Sequence, residues 1–160
     1  MDVQAIFGLS ILLSFVASGL VFWMFVWPRL KELSRNAALR ILVIPHTFRF
    51  IGLSFLVSGV VSPAVPAAFA APAAYGDLVA ASLAAASVLA LYYRFSFAPY
   101  LVWIFNIWGT FDFLYAFYAG LTQLPSPSAL GAAFYIPTLI VPPFFITHLL
   151  IFRLLVMRDE

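Results

Sequence analysis

Five stretches of this sequence, Ala5–Trp27, Ile41–Val61, Ala74–Tyr92, Pro99–Leu121 and Ala132–Phe152, run with almost no charge for the roughly 20 residues a helix needs to cross a bilayer. Nothing else in the chain restricts its fold as strongly. In lipid, backbone donors and acceptors must be satisfied internally, so each stretch is predicted to be a helix. Composition agrees: 65% of the 160 residues are apolar and 9% are charged, against about a quarter charged in soluble domains. The expected fold is all-α, a polytopic integral membrane protein forming one domain over residues 1–160. Its five transmembrane helices make a compact bundle. Asp2 is the only charge ahead of the first stretch, whose apolar run is too long for a secretory signal, so it reads as a retained span.

The connections sort by charge. "PRLKELSRNAALR" carries Arg29, Lys31, Arg35 and Arg40, "RFSFAP" opens with Arg94, and the last span ends in Arg153 and Arg158. The alternate connections, "SPAVPAAFAAPAAYGD" and "TQLPSPSALG", carry no basic residue. With five spans, every basic residue except Arg49 falls on one side. The positive-inside rule makes that side cytoplasmic, with the N-terminus outside and the C-terminus inside. The expected location is the plasma or bacterial inner membrane. Trp23, Trp27, Tyr92, Tyr93 and Tyr100 gather at the cytoplasmic interface, where amphipathic rings belong. Pro63, Pro66 and Pro72 predict an irregular outer loop over Ser62–Asp77, and Pro142 and Pro143 predict a kink in the last span.

Small residues spaced by four, Ser10, Ser14 and Ser18 on the first span and Ser54 and Ser58 on the second, are expected at helix contacts. Against this apolar background, five polar residues within spans stand out: His46 and Arg49 on the second, Asn106 and Asp112 on the fourth, and His148 on the fifth. At α-helical rise, His46, Arg49, Asn106 and His148 lie roughly 6–12 Å from the cytoplasmic end, and Asp112 about 20 Å from it. His46 and Arg49 share one face, and Asn106, Gly109, Asp112 and Tyr115 form a row spaced by three. An intramembrane arginine needs a partner, and with Asp77 assigned to the outer loop that overlaps the start of the third span, Asp112 is the one acidic residue left inside a predicted span. The five are therefore expected to converge on a buried ligand-binding site in the cytoplasmic half.

Several functions are excluded. There is no cysteine, hence no disulfide or thiolate chemistry. The single lysine, Lys31, lies in a loop, so no Schiff-base chromophore is held. Phosphate-binding loops, paired catalytic carboxylates, a closed metal site and a nucleic-acid surface are all missing. Three readings stay open. In the first, Arg49 holds an anionic group of a small molecule or lipid headgroup while His46, Asn106 and His148 supply hydrogen bonds. In the second, His46 and His148 are axial ligands of a b-type haem in an electron carrier. In the third, a histidine assisted by Asp112 performs acid–base chemistry on an apolar substrate, as in a membrane isomerase. The expected partners are the lipid bilayer and such a ligand, with a second copy of the chain as an alternative, and no nucleic acid.

Overall fold

A computed structural model of the protein describes residues 2–157; Arg158 lies outside them. Among the described residues the regular structure is helical, apart from one isolated bridge between Ser58 and Val61. The long helices are α1 Val3–Leu30, α2 Arg35–Leu56, α3 Ala67–Tyr92, α4 Ala98–Gln123 and α5 Ile136–Val156. All but α4 are both long and apolar enough to cross a membrane. α4 has the length, 26 residues, but Asn106, Asp112 and its tryptophans and tyrosines make it less apolar.

α3 corrects the expected outer loop. Its N-cap is Pro66, and the helix runs on through Pro72 and Asp77. A proline removes one intrahelical bond, and Pro72 lies in the second turn, close to an end where few such bonds have yet formed. The loop shrinks to residues 57–66. It is tied to the short helical segment Pro127–Phe134 by hydrogen bonds from the Ser62 amide to the Ala129 carbonyl, 2.8 Å, and from the Ala132 amide to the Val60 carbonyl, 3.0 Å. Gly131 sits at φ 54° in that segment, where a Cβ would run into the Val60 carbonyl, so this close crossing requires glycine.

The alanines of α3 decide the packing. Ala70, Ala73, Ala74, Ala80, Ala81 and Ala84 are all buried, and side chains this small let the backbones of α2 and α4 come close on either side. α5 packs against α4 and the first half of α2, while α1 lies at the periphery. No residue of α1 up to Val21 is buried. Its Ser10, Ser14 and Ser18 are half-buried, and Phe7 and Phe15 meet Phe134 and Phe145 edge to face. Prolines leave their mark as single π turns, Phe22–Val26 just before Pro28 and Ile136–Ile140 just before Pro142 and Pro143. Adding a residue to the turn accommodates the ring without breaking the helix. The interruption expected near Pro142 takes this form.

The core has two apolar parts. One, around Leu39, Leu42, Leu91, Val102 and Ile151, lies at the end of the bundle that carries the basic residues; Arg35 closes that end by donating to the carbonyls of Leu154 and Leu155 at 2.9 and 2.6 Å. The other, around Phe55, Phe69, Phe113, Leu130 and Ile136, lies toward the opposite end. Between them is a layer of charge.

Candidate functional site

That layer begins with the backbone of α2. From Arg35 to Val43 the helix is α; from Ile44, with Pro45 in its first turn, it tightens to a 3₁₀ helix that lasts 13 residues, to Leu56. Runs beyond about four residues are uncommon. With three residues per turn, side chains three apart eclipse one another, and the buried residues of this segment are His46, Arg49, Gly52 and Phe55. A single file results where an α-helix would spread them over a spiral. The longer rise, about 2.0 Å against 1.5 Å per residue, also carries Arg49 roughly 3 Å further along the axis. It thereby approaches the level of Asp112.

Arg49 is 1% exposed and fully engaged. Its Nε donates to Oδ1 of Asp77 at 2.7 Å and its Nη2 to Oδ2 of Asp112 at 2.6 Å. Nη1 lies 3.3 Å from the Gly109 carbonyl and 3.2 Å from Nε2 of His148, and the guanidinium lies 3.7 Å from the centroid of the Phe113 ring. Four elements of the site therefore meet on one side chain. The two charge-assisted bonds, from α3 and α4, are what allow a guanidinium to sit between two apolar clusters. The formal count is one positive charge against two negative ones.

One histidine supports the arginine directly. Nδ1 of His148 is 2.6 Å from Oδ1 of Asn106, whose amide nitrogen donates to the His148 carbonyl at 3.1 Å. Because an amide oxygen only accepts, His148 carries its proton on Nδ1 and turns the Nε2 lone pair to Arg49. His46 is fixed similarly. Thr147 donates its hydroxyl to the Phe144 carbonyl at 2.7 Å, so at 2.8 Å it accepts from Nε2 of His46. Nδ1 of His46 is then a bare acceptor with no partner among the described residues, buried beside Phe105 and Phe144, and such an orphan costs about 1–3 kcal/mol. The two imidazoles lie ring to ring, centroids 4.3 Å apart. No porphyrin fits between them as an axial pair would require.

Three glycines make the room. A Cβ on Gly109 would lie 2.6 Å from Cε1 of His148 and 2.7 Å from Nη1 of Arg49. One on Gly52 would overlap the Asp77 carboxylate, and one on Gly76 that of Asp112. Each charged group thus occupies a notch on the neighbouring helix. Trp108 pins α4 to α3 beside the last notch, donating from its indole nitrogen to the Gly76 carbonyl at 3.2 Å.

A cavity of about 350 Å³ lies on the other side of the two carboxylates. Asp77 and Asp112 border it, the aromatic rings of Phe7, Phe55, Phe69, Phe113 and Phe117 line it, and Gln4 contributes its only other polar side chain. Asp112 also borders a shallower groove on the outer surface of α3 and α4, with Tyr75, Trp108 and Phe111.

Of the five residues singled out in the sequence, Arg49, Asn106 and His148 meet in one hydrogen-bonded network that Asp112 joins through Arg49, and His46 adjoins it by ring contact with His148 while bonding to Thr147. Only Asp112 borders the cavity. The cavity lies not in the half that holds the basic loops but toward the end where α1 begins and α4 finishes, among Gln4, Leu121 and Leu124. Asp77, the second carboxylate, was assigned to a loop because three prolines precede it. Its signal is the spacing Ala70, Ala73, Asp77, Ala80, Ala84, a small-residue helical face with one charge in it.

A protein-family profile matches residues 6–156. The chain belongs to the family described as "Domain of unknown function (DUF8737)". No curated protein and no solved structure matches it.

Proposed function

We propose that this member of the family is a five-span protein of the cell membrane, N-terminus outside, whose cavity binds or carries a small molecule with an apolar body. One observation carries the reading: an aromatic-lined cavity of about 350 Å³ borders a rigid polar layer through Asp77 and Asp112. Ligand sites are concave, mostly apolar, a few hundred Å³ or more in volume, and equipped with a few fixed polar groups. The network behind the carboxylates supplies that fixity, since Asn106 sets His148, His148 and the Gly109 carbonyl set Arg49, and Arg49 sets both aspartates. Placing α4 across the membrane with the other four helices gives each connection the side its basic residues call for.

The chain has no cysteine, so one introduced thiol reports its own surroundings. Ala116→Cys puts it on the cavity wall, and Phe111→Cys puts it on the exposed side of the same helix. With 4-phenylbutanol present, a small maleimide should react several-fold more slowly at position 116 and at an unchanged rate at position 111. Equal rates at both positions with and without the alcohol would count against a binding cavity.

A further inference from the structure

On the strength of the pocket reading above, we infer that the cavity takes an amphipathic cation, an aromatic or aliphatic body carrying one ammonium group that meets Asp77 and Asp112. The argument is one of complementarity. Arg49 is absent from the lining, and each nitrogen of its guanidinium already has a partner within 3.3 Å. An anionic headgroup entering the cavity would meet two carboxylates and no free cation. That reverses the polarity expected from the sequence, where Arg49 was to hold an anion.

The carboxylates, by contrast, have unfilled capacity. Asp77 is 7% exposed and borders the cavity, and Oδ1 serves Arg49. Its Oδ2 makes no hydrogen bond among the described residues. Asp112 uses Oδ2 for Arg49, and its Oδ1 is likewise without a hydrogen bond among them. Those two oxygens lie against Gly52 and Gly76, but a carboxylate accepts up to about four hydrogen bonds, so each side chain has capacity for an ammonium N–H beside its bond to Arg49. The formal charge count agrees: with both carboxylates ionised against one guanidinium, an excess of one negative charge is left, which a monocation balances. A neutral headgroup would gain a hydrogen bond and leave the excess. Phe113, which already faces one guanidinium, and Phe69 and Phe117 offer π faces to a second cation.

The test compares three probes with one body and different heads: 4-phenylbutylamine, 4-phenylbutanol and 4-phenylbutyrate. Binding is measured on purified protein in phosphatidylcholine nanodiscs, and nanodiscs holding Ala116→Phe, whose phenyl ring obstructs the cavity, report partition into lipid. The expected order is amine, alcohol, carboxylate, with the amine at least about tenfold tighter than the alcohol because its hydrogen bonds are charge-assisted. In Asp112→Asn the amine-to-alcohol ratio should fall close to one. Asp77→Asn repeats the comparison should Asp112→Asn fail to fold, as judged by circular dichroism and size exclusion. If alcohol and amine bind alike, or the carboxylate binds best, the cation assignment is wrong while the pocket stands. If no probe binds above the Ala116→Phe background, the pocket reading itself fails.

Discussion

Removing one aspartate should do much less harm than removing both. With Asp112→Asn, Arg49 keeps its 2.7 Å bond to Asp77 and the layer becomes formally neutral. With Asp77→Asn it keeps the 2.6 Å bond to Asp112 and is neutral again. Each single change removes one charge-assisted bond and puts a neutral one in its place, a loss of about 1 kcal/mol. The double variant leaves a guanidinium between two apolar clusters with no counter-ion, a situation that costs about 3–5 kcal/mol. For a chain of this length that corresponds to a drop in melting temperature of roughly 6–20 °C, more than the two single drops combined. Arg49→Met should be as damaging as the double, since it strands two carboxylates. The triple Arg49→Met, Asp77→Asn, Asp112→Asn should recover much of the loss, because no charge is then left unpaired. Tryptophan fluorescence during thermal denaturation in a mild detergent would read all five variants. The reasoning is refuted if the double variant melts at the sum of the singles, or if the triple melts no higher than Arg49→Met.

Three further outcomes follow from the same geometry. Gly109→Ala should destabilise by about 1–3 kcal/mol, since its Cβ must displace a clamped arginine or a hydrogen-bonded histidine, whereas Gly8→Ala and Gly19→Ala, which meet nothing within 4 Å, should be neutral or stabilising in the same melts. Asn106→Leu frees the His148 ring to turn, so it should reduce probe binding as well as stability; unchanged binding would detach that network from the cavity. Reporter fusions after Arg40 and Arg94 should read cytoplasmic, and fusions after Ser62 and Gln123 external; an external reading at Arg94 would remove the five-span arrangement.

The helical character was readable because runs of about 20 apolar residues suit a helix long enough to cross a membrane and little else. The meeting of His46, Arg49, Asn106 and His148 was readable because polar groups on apolar helices have few places to go but the interior. Asp77 was hidden by a rule that is sound on average: prolines at 63, 66 and 72 suggest a loop, yet Pro66 caps a helix and Pro72 is tolerated near its start. The 3₁₀ segment was hidden differently. Spacing of three from His46 to Phe55 was visible in the letters, but an α-helix tolerates that spacing too, and only packing against the alanine face of α3 selects the tighter coil. The pairing of Arg49 with Asp112 was therefore legible in the letters, while its second partner, Asp77, was not.

The account's central claim is that the cavity beside Asp77 and Asp112 is occupied in the protein's own membrane. Native mass spectrometry of protein extracted gently from that membrane measures this with no assumption about the probe. Wild-type protein should carry a bound small molecule at a ratio close to one to one, and Ala116→Phe, folded but with the cavity obstructed, should carry much less. Identical spectra for the two, whether both bare or both loaded, would contradict it.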